Sequence, residues 1–276
     1  MNVYQEILGA RADLTDWVIH WTRVRGERSA WKALLTIIRK GILIPTFAKR
    51  PYRSSRRATI YGPRPAVCFT EQPLIEFARY VRARRDPTKV TGYAIAVHKH
   101  DLFAAGGRPV IYGFDCPCEA EIDDDEYSPD RRMLKPSCSV AVNEQYRYSA
   151  FDPTRTPWPL DWTHEREWRW APGKWGTPAL AKWCFRIAGS GTLVRTGLSK
   201  GRFVFIVPRD TSAVRLRKEL RRIIRTTSPK TTYAKRYLRR LKRVHIISLE
   251  KVQREVGNDA HFSRIETYPL DDAESR

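Results

Sequence analysis

Residues 17–41, WVIHWTRVRGERSAWKALLTIIRKG, hold the start of the fold in one run. Trp17 to Thr22 (WVIHWT) is β-branched and aromatic, the composition of a strand. Ser29 is a residue type that caps a helix by accepting a backbone N–H. Trp31, Leu34, Leu35 and Ile38 follow at the spacing of one helix face. Gly41 stands where a left-handed residue ends a helix. The chain therefore opens as strand, helix and stop.

Outward from this run the pattern repeats with shorter pieces. Residues 49–64 read as a loop carrying Arg50, Arg53, Arg56, Arg57 and Arg64, with Tyr52 and Tyr61 interleaved. Ala66 to Thr70 is a short strand. Pro73 can start a helix that turns Leu74, Phe77, Ala78 and Val81 inward, with Arg79, Arg82 and Arg85 on another face. Tyr93 to Val97 and Pro109 to Gly113 read as strands joined through the Gly106-Gly107 turn. Glu119 to Asp130 is an acidic run, expected as a loop that screens a basic patch. Residues 143–162 match no element. Phe203 to Val207 is a buried-type strand ended by Pro208. Helices are expected over 212–225, with Leu216, Leu220, Ile223 and Ile224 inward, and over 231–243, with Tyr233, Tyr237, Leu238 and Leu241 inward. Val244 to Leu249 closes with a strand, and the tail after Asn258 is polar. Short strands alternating with helices fit an α+β fold better than a doubly wound sheet. The glycine fingerprint of a dinucleotide-binding crossover and the Walker loop are both missing.

Composition limits the partners. Hydrophobic residues make up 42% of the 276, enough for a core and too many for a disordered chain. The formal charge is +21 and the pI about 10.1, which attracts polyanions, DNA or RNA above all. No run of about eighteen apolar residues suggests a membrane span. Met1 to Leu14 lacks an apolar signal core and carries Glu6 and Asp13, so no secretory or mitochondrial leader is expected. The cysteines, Cys68, Cys116, Cys118, Cys138 and Cys184, are odd in number and uneven in spacing. That argues against a disulfide framework and for a reducing cytoplasm. Cys116 and Cys118 lack the spacing of a zinc site, and no metal is expected.

Three segments could carry chemistry. In Glu165-Arg166-Glu167-Trp168-Arg169, a strand would project Glu165 and Glu167 from the same face into one cleft. Paired carboxylates there can divide the labour, one holding a ribose hydroxyl and the other orienting or deprotonating an acceptor. Arg166, Arg169 and the tryptophans would balance charge and form walls. A surface strand of alternating charge has the same pattern. His20-Trp21-Thr22 ends the first strand, where a histidine is either a ligand or a satisfied core residue. Cys68-Phe69-Thr70-Glu71 ends a strand in a hydroxyl and a carboxylate ahead of a helix, as a ligand site or as a cap ahead of Pro73.

The order of these pieces resembles one bacterial group. His-aromatic-Thr on the first strand comes first, then the helix leading to Gly41. CFTEQPL (68–74), YAIAVHKHDL (93–102), PVIY (109–112) and EREWR (165–169) follow. Together they resemble the DarT-like ADP-ribosyltransferases and the related AbiGi-like abortive-infection proteins, over roughly residues 17–210. The resemblance implies a split, mixed β-sheet core with flanking helices that grips NAD in a central cleft. It makes residues 1–210 the catalytic core and 211–276 a basic helical extension packed on the same domain. It implies that His20, Trp21 and Thr22 hold a ribose and the nicotinamide amide, and that Phe69 and Thr70 line the nicotinamide pocket. It makes Glu167 catalytic, with Glu165 facing the acceptor, and Arg64 or a loop neighbour the holder of the NAD phosphates. Tyr61 and Tyr93 are the candidates for the family's central tyrosine. A toxin or phage-defence role would bring a cognate antitoxin or phage-derived trigger as partner.

Basic patches then read as a track for DNA or RNA. One is Arg50 to Arg64. The other runs from Arg215 to Arg243, where Arg236, Arg239, Arg240 and Arg243 stand among many cations and Glu219 is the only acid. Tyr52, Tyr61 and the tryptophans near 158–175 could stack on unpaired bases. The competing readings are a non-catalytic nucleic-acid-binding module, a transferase acting on protein, and a nuclease built on His98, His100, Asp101 or Glu165.

Overall fold

The computed structural model describes residues 13–47, 49–52, 55–114, 119–120, 132–135, 138–157, 159–171, 185–186 and 203–255. In chain order they form β1 (Trp17–Trp21), α1 (Ala30–Lys40), β2 (Ile42–Leu43), β3 (Lys49–Tyr52), β4 (Ser55–Ala58), β5 (Val67–Thr70) and α2 (Leu74–Arg84). Next come β6 (Ala94–His98), α3 (Lys99–Ala104), β7 (Arg108–Pro109), β8 (Ile111–Phe114), β9 (Glu119–Ala120) and β10 (Met133–Leu134). The chain goes on through β11 (Tyr148–Phe151), β12 (Glu167–Trp170), β13 (Phe185–Arg186) and β14 (Phe203–Val207). It ends in α4 (Asp210–Thr226), α5 (Thr232–Leu241), β15 (His245–Ser248) and α6 (Leu249–Glu255). Two 3-10 helices, Val142–Arg147 and Thr163–Glu165, interrupt the middle. The architecture is mixed α/β with mostly antiparallel sheet pairing and several helices. No helix among the described residues is long and apolar enough to cross a membrane. The chain divides into two compact units, one of Met1–Ile42, Glu71–Asp101 and Arg186–Arg276, the other of Leu43–Thr70 and Leu102–Phe185.

In the first unit the strands run in the order β15-β14-β6-β1. β1 and β14 pair antiparallel with β6, and β15 lies parallel to β14 after a crossover through α4 and α5. Strand pleating sorts the side chains. Ile19, Ala94, Ala96, Val204, Ile206 and Ile247 pack with Leu74, Phe77 and Ala78 of α2 and Val252 of α6. His20, Ile95 and Phe205 fall on the opposite face, in register with one another. Phe203 meets the ring of Tyr237 of α5 at 6.3 Å, and the Tyr237 hydroxyl donates to the Ile38 carbonyl of α1 at 2.7 Å.

Local signals act as their chemistry dictates. The Ser29 hydroxyl accepts the Lys32 N–H, α1 buries Trp31, Leu34, Leu35 and Ile38, and Gly41 stops it at φ 64°. Thr22, just beyond the end of β1, still bonds its register partner across the β1–β6 pair. Its N–H bonds the Tyr93 carbonyl, and its hydroxyl lies 2.9 Å from the carbonyls of both Ala30 and Tyr93. Strand β6 runs one residue past the expected Val97, and α3 begins at once with Lys99. The expected connection of two strands through Gly106-Gly107 is therefore corrected, since α3 intervenes and β7 pairs with β12. The Lys99 ammonium accounts for the switch. It is 9% exposed and donates to the Thr15 carbonyl at 2.9 Å and to Glu71 at 2.7 Å.

The second unit has the strand order β5-β12-β7, a β3–β4 hairpin and a parallel pair of β8 and β11. At Gly113 any Cβ would come within 2.3 Å of the Tyr148 ring, so only glycine allows β8 to lie this close to β11. Residues 143–162, unassigned from sequence, supply a 3-10 helix and β11. The acidic run beyond Ala120, Cys116, Cys118, Cys184, Trp158, Trp175 and the tail after Asn258 lie outside the described residues.

Gly41 offers a direct test of the α1 stop. Gly41→Ala places a Cβ in the left-handed region and should cost about 1–2 kcal/mol, read as a lower urea midpoint with an unchanged slope.

Candidate functional site

The sequence motifs divide between the units, and each set is built differently. In the second unit, β12 lies antiparallel to β5 with Glu167 opposite Thr70, Phe69 opposite Trp168 and Cys68 opposite Arg169. The CFT and EWR segments are thus neighbours in one ladder. Thr70 and Phe69 are each 1% exposed. The Thr70 hydroxyl donates to the Glu165 carbonyl and ties the end of β5 to the turn ahead of β12. Pro73 stands at the N-cap of the next helix with no side-chain hydrogen bond, and Glu71 pairs with Lys99.

The expected geometry of Glu165 and Glu167 needs correction. Glu165 ends a 3-10 turn, Arg166 adopts φ 45°, and the strand begins only at Glu167. Strand alternation therefore does not set the two carboxylates on one face. The turn is fixed by Asp161, whose Oδ1 accepts the Thr163 N–H at 2.9 Å and the Thr163 hydroxyl at 2.5 Å. These bonds, hydroxyl first, hold the Asp161 carboxyl below its ordinary pKa.

Glu167 is met by Arg169 two residues on. Nε donates to Oε1 at 2.9 Å and Nη2 to Oε2 at 2.8 Å, a bidentate pair with side chains 6% (Arg169) and 13% (Glu167) exposed. Nη1 donates to the carbonyls of Tyr146 and Tyr148 at 2.9 and 2.8 Å. Burial works against the Arg169 charge, but the Glu167 carboxylate more than offsets it and holds the guanidinium above its ordinary pKa.

Tyr112, the last residue of the PVIY motif, accepts a hydrogen bond from the Glu167 backbone. Its hydroxyl donates to the Trp162 carbonyl at 3.2 Å. Burial and then the Glu167 charge raise its pKa, while a hydrogen bond from the Glu167 backbone opposes them. Trp162 is 41% exposed and its ring lies 6.1 Å from that of His164. Tyr61 is committed elsewhere. It is buried against Tyr148, the Arg132 guanidinium sits 4.0 Å over its ring, and Arg132 donates to its hydroxyl. Arg64 donates to the carbonyls of Asn143 and Ala171 and lies over the Tyr146 ring. Arg50, Arg56 and Arg57 belong to the backbone of the β3–β4 hairpin, and Arg53 lies outside the described residues.

In the first unit, His20 is half-buried on β1. Trp21 packs on Phe77 and Tyr80 and donates Nε1–H to the Lys89 carbonyl at 2.9 Å. Its indole and the Thr22 hydroxyl are thus used by the fold, and Tyr93 packs against Trp31. On α4 and α5 the basic face is real. Lys235, Arg239, Lys242 and Arg243 are exposed, while Arg236 and Arg240 are half-buried. Glu219 is paired with Arg222 at 2.7 Å and lies 3.8 Å from Arg39. A second acid comes from far away in sequence: Asp101 supports the charge of Arg240, against burial and Arg236, which together lower its pKa. Among the described residues no three His, Cys, Asp or Glu side chains converge as a metal site would need.

Removing the guanidinium tests the Glu167–Arg169 pair. Arg169→Met leaves a mostly buried carboxylate unpaired and two carbonyls without donors, and should destabilise the protein by about 3–5 kcal/mol in urea unfolding. Arg169→Lys should recover only part of this, since an ammonium cannot form the planar two-pronged contact.

Compared with known proteins, the chain matches no protein-family model, no curated protein and no solved structure.

Proposed function

We propose that the chain is an ADP-ribosyltransferase that takes NAD as co-substrate and modifies a nucleic acid. The observation that carries this reading is the β5–β12 ladder. It sets Thr70 opposite Glu167 and bonds the Thr70 hydroxyl to the turn that bears Glu165. Two motifs ninety-odd residues apart, chosen for their resemblance to a transferase site, are therefore adjacent in the fold.

The residues fit part of the task. Glu167 is a carboxylate held in place by Arg169, with a phenol and an exposed indole nearby. As the bond between the ribose C1′ and nicotinamide breaks, its electron pair leaves with nicotinamide and positive charge develops on the ribose. A fixed carboxylate stabilises that charge more in a partly desolvated site than in water. A base nitrogen or ribose hydroxyl of the acceptor then bonds to C1′, and its proton passes to the carboxylate. Arg169 is a positioning residue in this scheme. The Trp21 indole and Thr22 hydroxyl are spent on backbone carbonyls, which fits a part in the NAD grip poorly.

The acceptor class follows from charge. Lys235 and Arg239 on α5 and Arg243 just beyond its end are exposed, without acidic partners among the described residues. Such a row suits a phosphate backbone and sets position rather than sequence. One observation favours a non-catalytic binding module instead, which is that Arg169 engages both Glu167 oxygens.

Labelled NAD incubated with single-stranded DNA, total RNA and a protein lysate separates the readings. Label should appear on one nucleic acid and fall by about a hundredfold or more with Glu167→Gln. No label on any acceptor, with salt-sensitive nucleic-acid binding intact, would leave only the binding module. In a separate titration, Lys235→Glu, Arg239→Glu and Arg243→Glu together should weaken nucleic-acid binding. They should also flatten its dependence on log salt by about 0.7–0.9 for each phosphate no longer neutralised. An unchanged slope would remove α5 from the interface.

A further inference from the structure

The second unit contains a cavity that includes Arg64, expected from the sequence to hold the NAD phosphates, but not Glu167. It measures about 380 Å³ and is lined by Arg64, Arg108, Glu144, Tyr146, Trp170 and the backbone around Gly106. That is near the small end of the ~300–1,000 Å³ range of small-molecule sites, room for one phosphorylated sugar rather than a dinucleotide. Trp170 stands three residues from Glu167 on an extended strand, about 10 Å along it and turned to the other face. The cavity is therefore set apart from the carboxylate proposed to do the chemistry.

Its polar groups are donors in want of acceptors. Tyr146 is 3% exposed, and its hydroxyl has no hydrogen-bond partner among the described residues. The Arg64 guanidinium spends both Nη groups on carbonyls, yet its Nε is buried with no partner. Arg108 uses only Nη1, on the carbonyls of Phe103 and Gly107, and braces its guanidinium 3.9 Å over the Phe103 ring. Its Nε and Nη2 remain for a ligand. The one acid in the wall, Glu144, is paired with Arg147 at 2.9 Å. Burial, then Glu144, raises the Tyr146 pKa against the pull of Arg64, Arg147 and Arg108. The phenol thus stays protonated and can donate.

An unpartnered phenol hydroxyl and a braced guanidinium with spare N–H groups, beside a second fixed guanidinium charge, match a tetrahedral anion with several acceptor oxygens. We infer that this cavity is a phosphate-ester site, distinct from the proposed transferase centre, in which Tyr146 and Arg108 donate to one phosphate group and Arg64 adds positive charge to the wall. The phosphate belongs either to a small sugar phosphate or to the end of a nucleic-acid strand. The inference does not rest on the transferase reading, because binding is measured without turnover.

The test uses the full chain and calorimetric titration with ribose 5-phosphate, and with a single-stranded oligonucleotide carrying or lacking a 5′-phosphate. Tyr146→Phe removes one hydroxyl that bonds nothing in the fold, so its melting temperature should match the native chain. It should weaken ribose 5-phosphate binding about 3–10-fold. Arg108→Gln should weaken it about tenfold or more, and thermal melting checks that the variant folds. Loss of affinity for the 5′-phosphorylated strand alone, in the same two variants, supports the site with a strand end as its ligand. Three outcomes would overturn the inference: no binding of either phosphate at about 10 mM, equal affinity in both folded variants, or NAD competing with a loss of affinity in Tyr146→Phe.

Discussion

The second unit depends on one buried cation. The Arg169 guanidinium, 5% exposed, would be costly there if any of its donors lacked a partner. All three of its nitrogens are engaged: Nε and Nη2 donate to Glu167, and Nη1 spans the carbonyls of Tyr146 and Tyr148. Those carbonyls belong to the end of the 3-10 helix and the start of β11, so a single side chain of β12 joins three elements. The same contact decides what Glu167 can be. A carboxylate gripped on both oxygens is fixed in place, which suits charge stabilisation, and its remaining lone pairs must serve any acceptor proton.

Much of the first unit was legible because its signals are local. Ser29, the Leu34–Ile38 face and Gly41 act within one helix, and residues a few positions apart carry all the information. The buried-type strand at Phe203–Val207 and the two helices after it were readable for the same reason. The two-residue strands and the 3-10 turns were not, since their geometry is imposed by partners far along the chain. Tyr146 and Tyr148, in a stretch without periodicity, are fixed by Arg169. The Glu165–Glu167 geometry was misread for a related reason. Alternation presumes a continuous strand, and the Asp161–Thr163 turn with a left-handed Arg166 breaks it.

Charge was legible in sum and less so in detail. The excess of arginine on α4 and α5 is plain in sequence, yet the acid that moderates Arg240 comes from residue 101. Tyr61 carries a similar lesson. An aromatic residue in an arginine-rich loop reads as a base-stacking platform, but here it is buried under Arg132. Cation–aromatic stacking inside a core and on a ligand surface look alike until burial separates them.

The interleaving of the two units bears on how the chain folds as it is made. Strand β6 has β1 on one side and β14 on the other, and β14 lies more than a hundred residues later. During synthesis, the β1–β6 pair therefore waits with an apolar strand edge open while the later part of the second unit, Leu102–Phe185, emerges. That pairing has a long sequence separation, so closing it carries a loop-entropy cost and slows folding. The exposed edge, Ala94 to Val97, is apolar and uncharged, the kind of segment that chaperones shield on a nascent chain.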